Sequence, residues 1–378
     1  MDEVEVLRTL LREYSPSGHE AGAVRAFLQM ARSLGFSAHV DRAGNGIARI
    51  GVGRPKVMFL GHIDTVEGEL PIRINGGRVT GRGACDAKGA LAAALVGASR
   101  HAGPGEVLVV AAVGEEKDSR GARHLIPRHR PDFLLVGEPS GWSGVTIGYK
   151  GNMSLVLKFA GERTHLSSPE PTTVEVAMAF LDRLRAFAEA RRDESGFRSL
   201  TVKVHSIETT RKGSAEHVHV GVNLRLPPGV DTDDVITFLN ESGVAGRAEV
   251  VDRSEAVEVD PRNVVVRALC AGIRREGAQP TLLRKLGTSD MNLAVPAWGS
   301  PAAAYGPGDS HLDHTDAESL ELEEFRRSIA VLRDTFTLLA AQPPASAIVA
   351  VPRVPPGYSR VTRSTRASGV TSTPRRRK

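Results

Sequence analysis

The feature of this 378-residue sequence that most constrains its fold is a set of short, uninterrupted apolar runs near its beginning. These runs span residues 57–60, 107–113 and 133–136. A half-exposed strand alternates apolar and polar residues, whereas a continuous apolar run is typical of a strand buried on both faces. An alanine-rich helix is predicted between the first two runs, at about residues 87–99. The alternation predicts an α/β domain whose sheet is covered by helices on both faces.

The pattern changes after residue 151, where strands and helices follow a different order. The predicted elements are strand 153–160, helix 171–190, strands 200–208 and 217–226, helix 231–242 and strand 246–252. This β-α-β-β-α-β order is the ferredoxin-like arrangement. The α/β pattern then resumes and closes with a helix near 321–341. We therefore predict one domain of residues 1–151 and 253–342, with a second, inserted domain of residues 152–252.

Positive charge is concentrated at the C-terminal end of the chain. The formal net charge is +5, but residues 343–378 carry seven Arg, one Lys and no acid, so the rest of the chain carries −3. This segment is rich in Pro, Ser and Thr and lacks periodicity, which predicts a disordered basic tail. We interpret it as a solubilising extension, with an RNA-binding or docking arm as the alternative, because charge runs are usually solvated. Nucleic acid is therefore not a predicted partner.

Cysteine usage and hydropathy predict a cytoplasmic protein without a membrane partner. Cys85 and Cys270 form no CxxC pair, so they indicate neither a disulfide framework nor a thiolate zinc site. No apolar run approaches the roughly 18 residues that a membrane-spanning helix needs. The first residues predict an amphipathic helix rather than an export signal.

Residues able to bind metal follow the predicted strands, most of them directly after a glycine. The candidates are His62, Glu115, Glu116, Glu138 and His314, together with Asp86 in a glycine-rich turn. In open α/β sheets the carboxyl ends of the strands form the crevice where ligands bind. These side chains are therefore predicted to meet at one place.

The residue types in this set indicate metal-dependent hydrolysis. Two imidazoles with several carboxylates and no thiolate suit zinc or another borderline metal, and the excess of carboxylates favours two ions with one bridging carboxylate. Asp64 lies two residues after His62 and can accept the second ring N–H of that imidazole. Glu115 and Glu116 are adjacent and point in different directions in an extended chain. One can bind metal while the other takes a proton from the reacting water.

Five motifs carry these residues: GHIDTV (61–66), GRGACDAKG (81–89), GEE (114–116), GEPS (137–140) and GPGDSHLDHTDAE (306–318). Together they resemble the dinuclear zinc aminoacylases and carboxypeptidases, a family that includes acetylornithine deacetylase, succinyl-diaminopimelate desuccinylase and carboxypeptidase G. The resemblance covers about residues 1–341. It implies a phosphorylase/hydrolase-like mixed-sheet catalytic domain, with the inserted domain serving as a lid and a dimerisation domain.

The resemblance also implies the metal ligands. It places His62 and Glu138 on one zinc or cobalt ion, Glu116 and His314 on the other, and Asp86 as the bridge. The family motif has an acid four residues after the final His, which fits His314 with Glu318. His311 is therefore expected to be a surface residue.

Other roles follow from the same resemblance. Glu115 becomes the general base, and Asp64 the acid behind His62. His165 resembles the His that crosses a homodimer to stabilise the oxyanion of the tetrahedral intermediate. Arg225 resembles the Arg that binds the substrate carboxylate, although the family usually has Asp where this chain has Asn223.

Within the family, residues 285–292 and the phrase GPGDSHLDHT are most similar to hydrolases that release lysine or ornithine from an acidic amino-group carrier protein. In that pathway the amino acid is held by an amide to the carrier's terminal glutamate. Thr288 and Asp290 are then expected to bind substrate, Asp290 as the partner of a cationic side chain. The alternatives are deacylation of a small N-acyl amino acid, as in acetylornithine deacetylase or succinyl-diaminopimelate desuccinylase, or dipeptide hydrolysis. Candidates for a basic rim that would attract the carrier are Arg82, Lys88, Lys117, Arg120 and Arg123.

Overall fold

A computed structural model describes residues 2–165, 167–243 and 247–344, so all but the first two residues of the tail predicted at 343–378 lie outside the described residues. The helices are α1 (Glu3–Leu11), α2 (Ala21–Ser33), α3 (Lys88–Ser99), α4 (Arg120–Leu125), α5 (Thr173–Glu189), α6 (Thr232–Glu241), α7 (Val264–Arg275), α8 (Met291–Trp298) and α9 (Leu322–Ala340). The strands are β1 (Ser37–Val40), β2 (Gly46–Val52), β3 (Lys56–His62), β4 (Arg73–Asn75), β5 (Arg78–Thr80), β6 (Gly105–Ala112), β7 (Phe133–Gly137), β8 (Gly144–Tyr149), β9 (Gly151–Glu162), β10 (Thr201–Lys212), β11 (Ala215–Leu226), β12 (Ala248–Ser254), β13 (Val257–Glu258), β14 (Thr281–Lys285), β15 (Ala302–Ala304) and β16 (Ser319–Glu321).

The main sheet is mixed, with a parallel centre. Among the described residues its strands run in the order β1-β2-β6-β3-β7-β15-β8-β13, and β14 also pairs with β8. Strands β6, β3, β7 and β15 are mutually parallel, whereas β1, β2 and β13 join in antiparallel fashion. The three uninterrupted apolar runs are β3, β6 and β7, as predicted. Because these strands are parallel, their carboxyl ends open on one edge of the sheet.

Helices cover both faces of this sheet. Successive side chains of a strand point to opposite faces, so Val57 and Phe59 of β3 enter one core and Met58 and Leu60 enter the other. The first core also takes buried residues from α1, α2, α3, α7 and α9, and the second takes them from α4 and α8. A strand with a core on each side must be apolar throughout, which explains its unbroken run.

Residues after Tyr149 form a separate four-stranded sheet with a core of its own. Its order is β10-β11-β9-β12, and every neighbouring pair is antiparallel. Apolar residues of α5 and α6 pack on this sheet. The element order is the β-α-β-β-α-β order expected from the sequence. The domain boundaries and the function of this part as a lid or dimerisation domain stay predictions.

A small third sheet, β16-β5-β4, brings the segment before α9 against the segment before α3. Its pairing of Leu320 with Val79 fixes the end of the loop that contains His314. Across the described ranges, no helix is long and apolar enough to cross a membrane.

Candidate metal centre

The predicted metal ligands lie at the carboxyl edge of the main sheet. His62 is the last residue of β3, Glu116 follows β6, and Glu138 follows β7. Asp86 lies just before α3, and His314 lies in the loop between β15 and β16. Three of the five candidates thus lie at the carboxyl ends of buried parallel strands, and two loops bring Asp86 and His314 to the same edge.

The five residues form two groups that share Asp86. One group contains His62, Asp86 and Glu138, and the other contains Asp86, Glu116 and His314. In each group the ligand atoms lie within 4.8 Å of one another. The Oδ1 of Asp86 lies 3.1 Å from Nε2 of His62, and its Oδ2 lies 3.1 Å from Nε2 of His314. Each carboxylate oxygen of Asp86 thus faces a different group.

The donor set fits a pair of divalent ions. Donors about 2.1 Å from one tetrahedral ion lie about 3.4 Å apart, and imidazole with carboxylate suits zinc and its neighbours. The Nε2 of His314 lies 3.0 Å from Oε1 of Glu116, close to that spacing. The donor types and their spacing are therefore compatible with one ion in each group.

Carboxylates crowd around both imidazoles. Burial disfavours the charged ring of His62, but the carboxylates of Asp64 and Asp86 outweigh it and raise the pKa of His62 well above its usual value. Hydrogen bonds to Asp86 and Glu116 raise the pKa of His314 to about 10. Both rings therefore lie where positive charge is stabilised, as a centre for cations requires.

Asp64 supports the centre in a different way from the one predicted. Nδ1 of His62 is bonded at 3.0 Å to the backbone carbonyl of Asp64, while the carboxylate Oδ1 lies 3.7 Å away. The carboxylate instead accepts the backbone N–H groups of Glu115 and Glu116, each at 3.1 Å, and the hydroxyl of Ser17 at 2.7 Å. Asp64 thus orients the imidazole mainly through its backbone and holds the loop of the paired glutamates through its side chain.

Glu318, which the sequence used only to distinguish His314 from His311, holds the backbone of Asp86 in place. Its Oε1 accepts the backbone N–H groups of Cys85 at 3.1 Å and Asp86 at 3.2 Å. His311 is a surface residue, as expected, with 91% of its side chain exposed. His314 has a left-handed backbone with φ of 62°, which is unusual for a residue with a side chain.

Glu115 belongs to neither ligand group. It lines the cavity beside the centre together with Glu116 and Glu138. Burial raises the pKa of Glu115 well above its usual value, and the nearby Glu138 adds to this effect. A carboxyl group in this place is available for proton transfer to or from a substrate.

The cavity has a volume of about 1090 Å³ and lies between the main and the four-stranded sheets. Arg225 and Thr288 line it, as expected for substrate-binding residues, and Nη1 of Arg225 donates to Oγ1 of Thr288 at 3.4 Å. His165 lies in an exposed loop after β9 and is not among the described residues that line the cavity of its own chain. Its predicted action in a partner subunit stays a prediction.

Asp290 is placed differently from the expectation that it meets a cationic substrate directly. The residue is only 2% exposed, and it is not among the described residues that line the cavity. Burial raises the pKa of Asp290 to about 6 even though Ser119 donates a hydrogen bond to its side chain. Asp290 directly precedes α8 and lies beside Ser119, which does line the cavity.

Three of the five predicted basic-rim residues are structural. Lys88 is fully buried, and its Nζ donates to the carbonyl of Glu13 at 2.6 Å. Arg82 is buried against Glu318, at 3.0 Å. Arg120 pairs with the buried Glu20, at 2.7 Å. Among the described residues, the basic side chains that line the cavity are Lys117, Arg123, Arg225, Arg284 and Lys285.

The sequence model of Peptidase family M20/M25/M40 matches residues 58–337, which contain every residue of both ligand groups. The chain belongs to this family. Membership of the peptidase family agrees with the amide hydrolysis that the sequence predicted.

Two relatives show how far this similarity extends. A protein of Thermococcus kodakarensis, provisionally named a LysW-lysine/LysW-ornithine hydrolase, is 38% identical over 88% of this chain and 91% of its own length. The LysW-lysine hydrolase of Deinococcus radiodurans is 37% identical over 89% of this chain and 96% of its own length. Both alignments span nearly the whole of the relative.

A solved structure shows the same fold at much lower identity. The M20 family metallo-carboxypeptidase Sso-CP2 of Sulfolobus solfataricus superposes with a TM-score of 0.71 and 17% identity, covering 90% of this chain and all of its own. This member of the M20/M25/M40 family is thus a hydrolase with the mixed α/β fold of its family and two groups of candidate metal ligands.

Sequence reasoning missed some residues that line the site. Tyr149, Lys285, Asn292 and Asp313 all line the cavity but were given no role. Asn292 and Lys285 stand at the ends of a segment that the sequence had singled out for Thr288 and Asp290. Their place in the wall depends on contacts with segments more than a hundred residues away, which no local pattern reveals.

Proposed function

We propose that the chain is a cytoplasmic two-metal amidohydrolase that releases lysine or ornithine from the C-terminal glutamate of an acidic amino-group carrier protein. This reaction would be the last step of carrier-dependent lysine and arginine biosynthesis. The shared position of Asp86 between two ligand groups beside Glu115 supports the chemistry. The two relatives, aligned over nearly their full lengths, support the substrate.

The proposed centre would hold two ions, zinc or cobalt. His62 and Glu138 would bind one, Glu116 and His314 the other, and Asp86 would bridge them. Bound ions of this kind would lower the pKa of water to about 7 and polarise a carbonyl oxygen.

The protein's own residues supply the proton transfers and the substrate contacts. Glu115 takes a proton from the attacking water and passes it to the leaving nitrogen. Arg225, whose planar fork suits a carboxylate, binds the carboxylate of the substrate. The loop that carries Glu115 is held by the carboxylate of Asp64, which keeps the base in register with the centre.

The substrate proposal predicts a difference between carrier-bound and small substrates. Metal-loaded enzyme is expected to release lysine or ornithine from the carrier conjugate, with amino-acid analysis as the measurement. Because exposed charges steer an acidic partner, Lys117→Glu is expected to raise KM for the carrier conjugate. Lys203→Glu, an exposed change on β10 outside the cavity, is the matched control. Cleavage of acetylornithine without cleavage of the conjugate would replace this proposal by the small-substrate alternative.

We also propose a homodimer in which the partner subunit's His165 completes each site. Mixing a Glu115→Gln protein with a His165→Ala protein is then expected to restore activity. Each mixed dimer would contain one site with both wild-type residues. The measurement is turnover after the two inactive proteins exchange subunits. Mixed dimers, verified by mass spectrometry, that stay as inactive as the separate variants would rule out this arrangement.

A further inference from the structure

The backbone passes between the main sheet and the four-stranded sheet at two adjacent crossings. It leaves the main sheet at Lys150, directly after β8, and returns at Glu255, directly after β12. A Cβ placed on Gly151 would come within 2.6 Å of the Ser254 carbonyl oxygen and 2.7 Å of the Ala256 nitrogen, so the crossings lie side by side. If the four-stranded sheet rotates relative to the main sheet, these two segments are the hinge.

One side chain binds both crossings. The Nδ2 of Asn292 donates to the carbonyl of Lys150 at 3.0 Å and to the carbonyl of Glu255 at 2.8 Å. Its Oδ1 accepts the backbone N–H of Ser289 at 2.9 Å. Asn292 is only 4% exposed, so these bonds are shielded from water. An amide offers two donor hydrogens, and here each serves a different crossing.

Residues 285–292, which we name the crossover clasp, also reach the substrate cavity. At the start of the clasp, the carbonyl of Lys285 accepts the backbone N–H of Lys150 at 3.2 Å. In its middle, Thr288 accepts the hydrogen bond from Arg225, which lies on β11 of the four-stranded sheet. Thr288, Asn292 and Arg225 all line the cavity. The segment that fastens the crossings thus also meets Arg225.

We propose that Asn292 is a positioning residue: by binding both crossings it fixes the four-stranded sheet relative to the metal centre and so sets where Arg225 stands in the cavity. The three hydrogen bonds of Asn292 are made within the protein, so it acts through Arg225 and not on the reacting atoms. Its effect on catalysis rests on the proposed role of Arg225 in binding substrate. Its effect on the orientation of the sheet does not.

Asn263, a half-buried amide that also bonds within the protein, provides a comparable control. Its Nδ2 donates to the carbonyls of Asp260 at 2.9 Å and Ala302 at 3.0 Å, and its Oδ1 accepts the N–H groups of Val265 and Val266 at the start of α7. It binds neither crossing and is not among the described residues that line the cavity. Asn263→Ala therefore removes a comparable set of hydrogen bonds without touching the clasp.

The orientation of the sheet can be measured without any substrate. Spin labels at Asp233→Cys in α6 and Glu323→Cys in α9 occupy side chains that are 86% and 69% exposed, while the native Cys85 and Cys270 are buried. Asn292→Ala is expected to broaden and shift the distribution of label distances in the metal-loaded protein. Asn263→Ala is expected to leave the distribution as in wild type. Asn292→Ser keeps one donor, so its distribution is expected to be intermediate between those of wild type and Asn292→Ala. This variant replaces Asn292→Ala in the experiment if the Ala variant does not fold. Distributions for both Asn292 variants that superpose on that of wild type would overturn the proposal.

Kinetics with the carrier conjugate test the step through Arg225. Asn292→Ala is expected to raise KM about tenfold with little change in kcat, because a misplaced Arg225 weakens binding of the substrate and of the transition state equally. In an Arg225→Ala background, Asn292→Ala is expected to raise KM hardly any further. If the double variant instead raises KM by the product of the two separate factors, Asn292 does not act through Arg225. If wild type fails to cleave the conjugate, the proposed function fails, and the label distances alone decide the role of Asn292.

Discussion

Asp86→Ala is expected to abolish hydrolysis and to remove metal from both halves of the centre. Its two oxygens face His62 and His314 separately, so a single substitution takes one ligand from each group. The loop itself should stay in place, because Glu318 holds it through the backbone N–H groups of Cys85 and Asp86. Metal content after dialysis, measured by mass spectrometry, is expected to fall from two ions per chain to below about one, since three protein ligands are typical of a catalytic zinc ion.

The control for this variant is Asp316→Ala, which removes an exposed carboxylate from the loop that carries His314. It is expected to keep both metal ions and full activity. Asp86→Asn tests the charge separately from the shape, because the amide keeps the size of the carboxylate but bridges two cations poorly. Retention of two ions by Asp86→Ala, with an unchanged melting temperature, would show that the bridge is misassigned.

Three of the five candidate metal ligands are defined by a local pattern in the sequence. A buried strand is recognisable in the sequence as an apolar run, and the residues that follow the run lie at the carboxyl edge of the sheet. His62, Glu116 and Glu138 follow this rule after β3, β6 and β7. The parallel pairing of those strands then brings the three residues together without further information from the sequence.

The errors concern side chains whose surroundings come from distant parts of the chain. Lys88 was predicted at a basic rim, but its ammonium group donates to the carbonyl of Glu13, 75 residues earlier. Arg82 has its acidic partner, Glu318, 236 residues later. Neither carbonyl nor carboxylate can be located from the residues around the cation. Charge in a sequence therefore predicts a surface only after such partners are known.

Asp290 shows the same limit for a carboxylate. Its neighbours Thr288 and Ser289 line the cavity, so its position in the sequence was a fair guide to the site. Asp290 directly precedes α8, whose Met291 and Ala294 are buried in the core that also contains α4. Its carboxylate accepts a hydrogen bond from Ser119, which itself lines the cavity, so Asp290 lies beside the cavity without lining it.

Asp64 and Glu318 hold the backbone of the candidate site in the same way. Each carboxylate binds a pair of consecutive backbone N–H groups, of Glu115 and Glu116 in the first case and of Cys85 and Asp86 in the second. Backbone positions are thereby fixed beneath both the ligands and the base, which is how a site built on loops becomes rigid. The family motifs contain both acids, but the backbone N–H groups that they bind are seen only in the folded structure.

Glu115→Gln is expected to lower kcat by about 10² to 10⁴, the range typical for loss of a general base, while leaving the metal content at the wild-type level. Glu115 lies outside both ligand groups, and an amide of equal size cannot take the proton from the attacking water. Stability should not fall, because burial already disfavours the ionised carboxylate at this position. The measurements are steady-state kinetics, metal analysis and thermal unfolding on the same preparation.

The neighbouring Glu116→Gln is the matched comparison, because it differs by one position and changes a metal ligand. It is expected to lose metal together with activity, whereas Glu115→Gln loses activity alone. Added zinc or cobalt should therefore restore part of the turnover of Glu116→Gln and none of that of Glu115→Gln. Undiminished turnover by Glu115→Gln would remove Glu115 from the mechanism. Another residue that lines the cavity would then have to act as the base. Asp313, adjacent to His314, would be the first such residue to mutate.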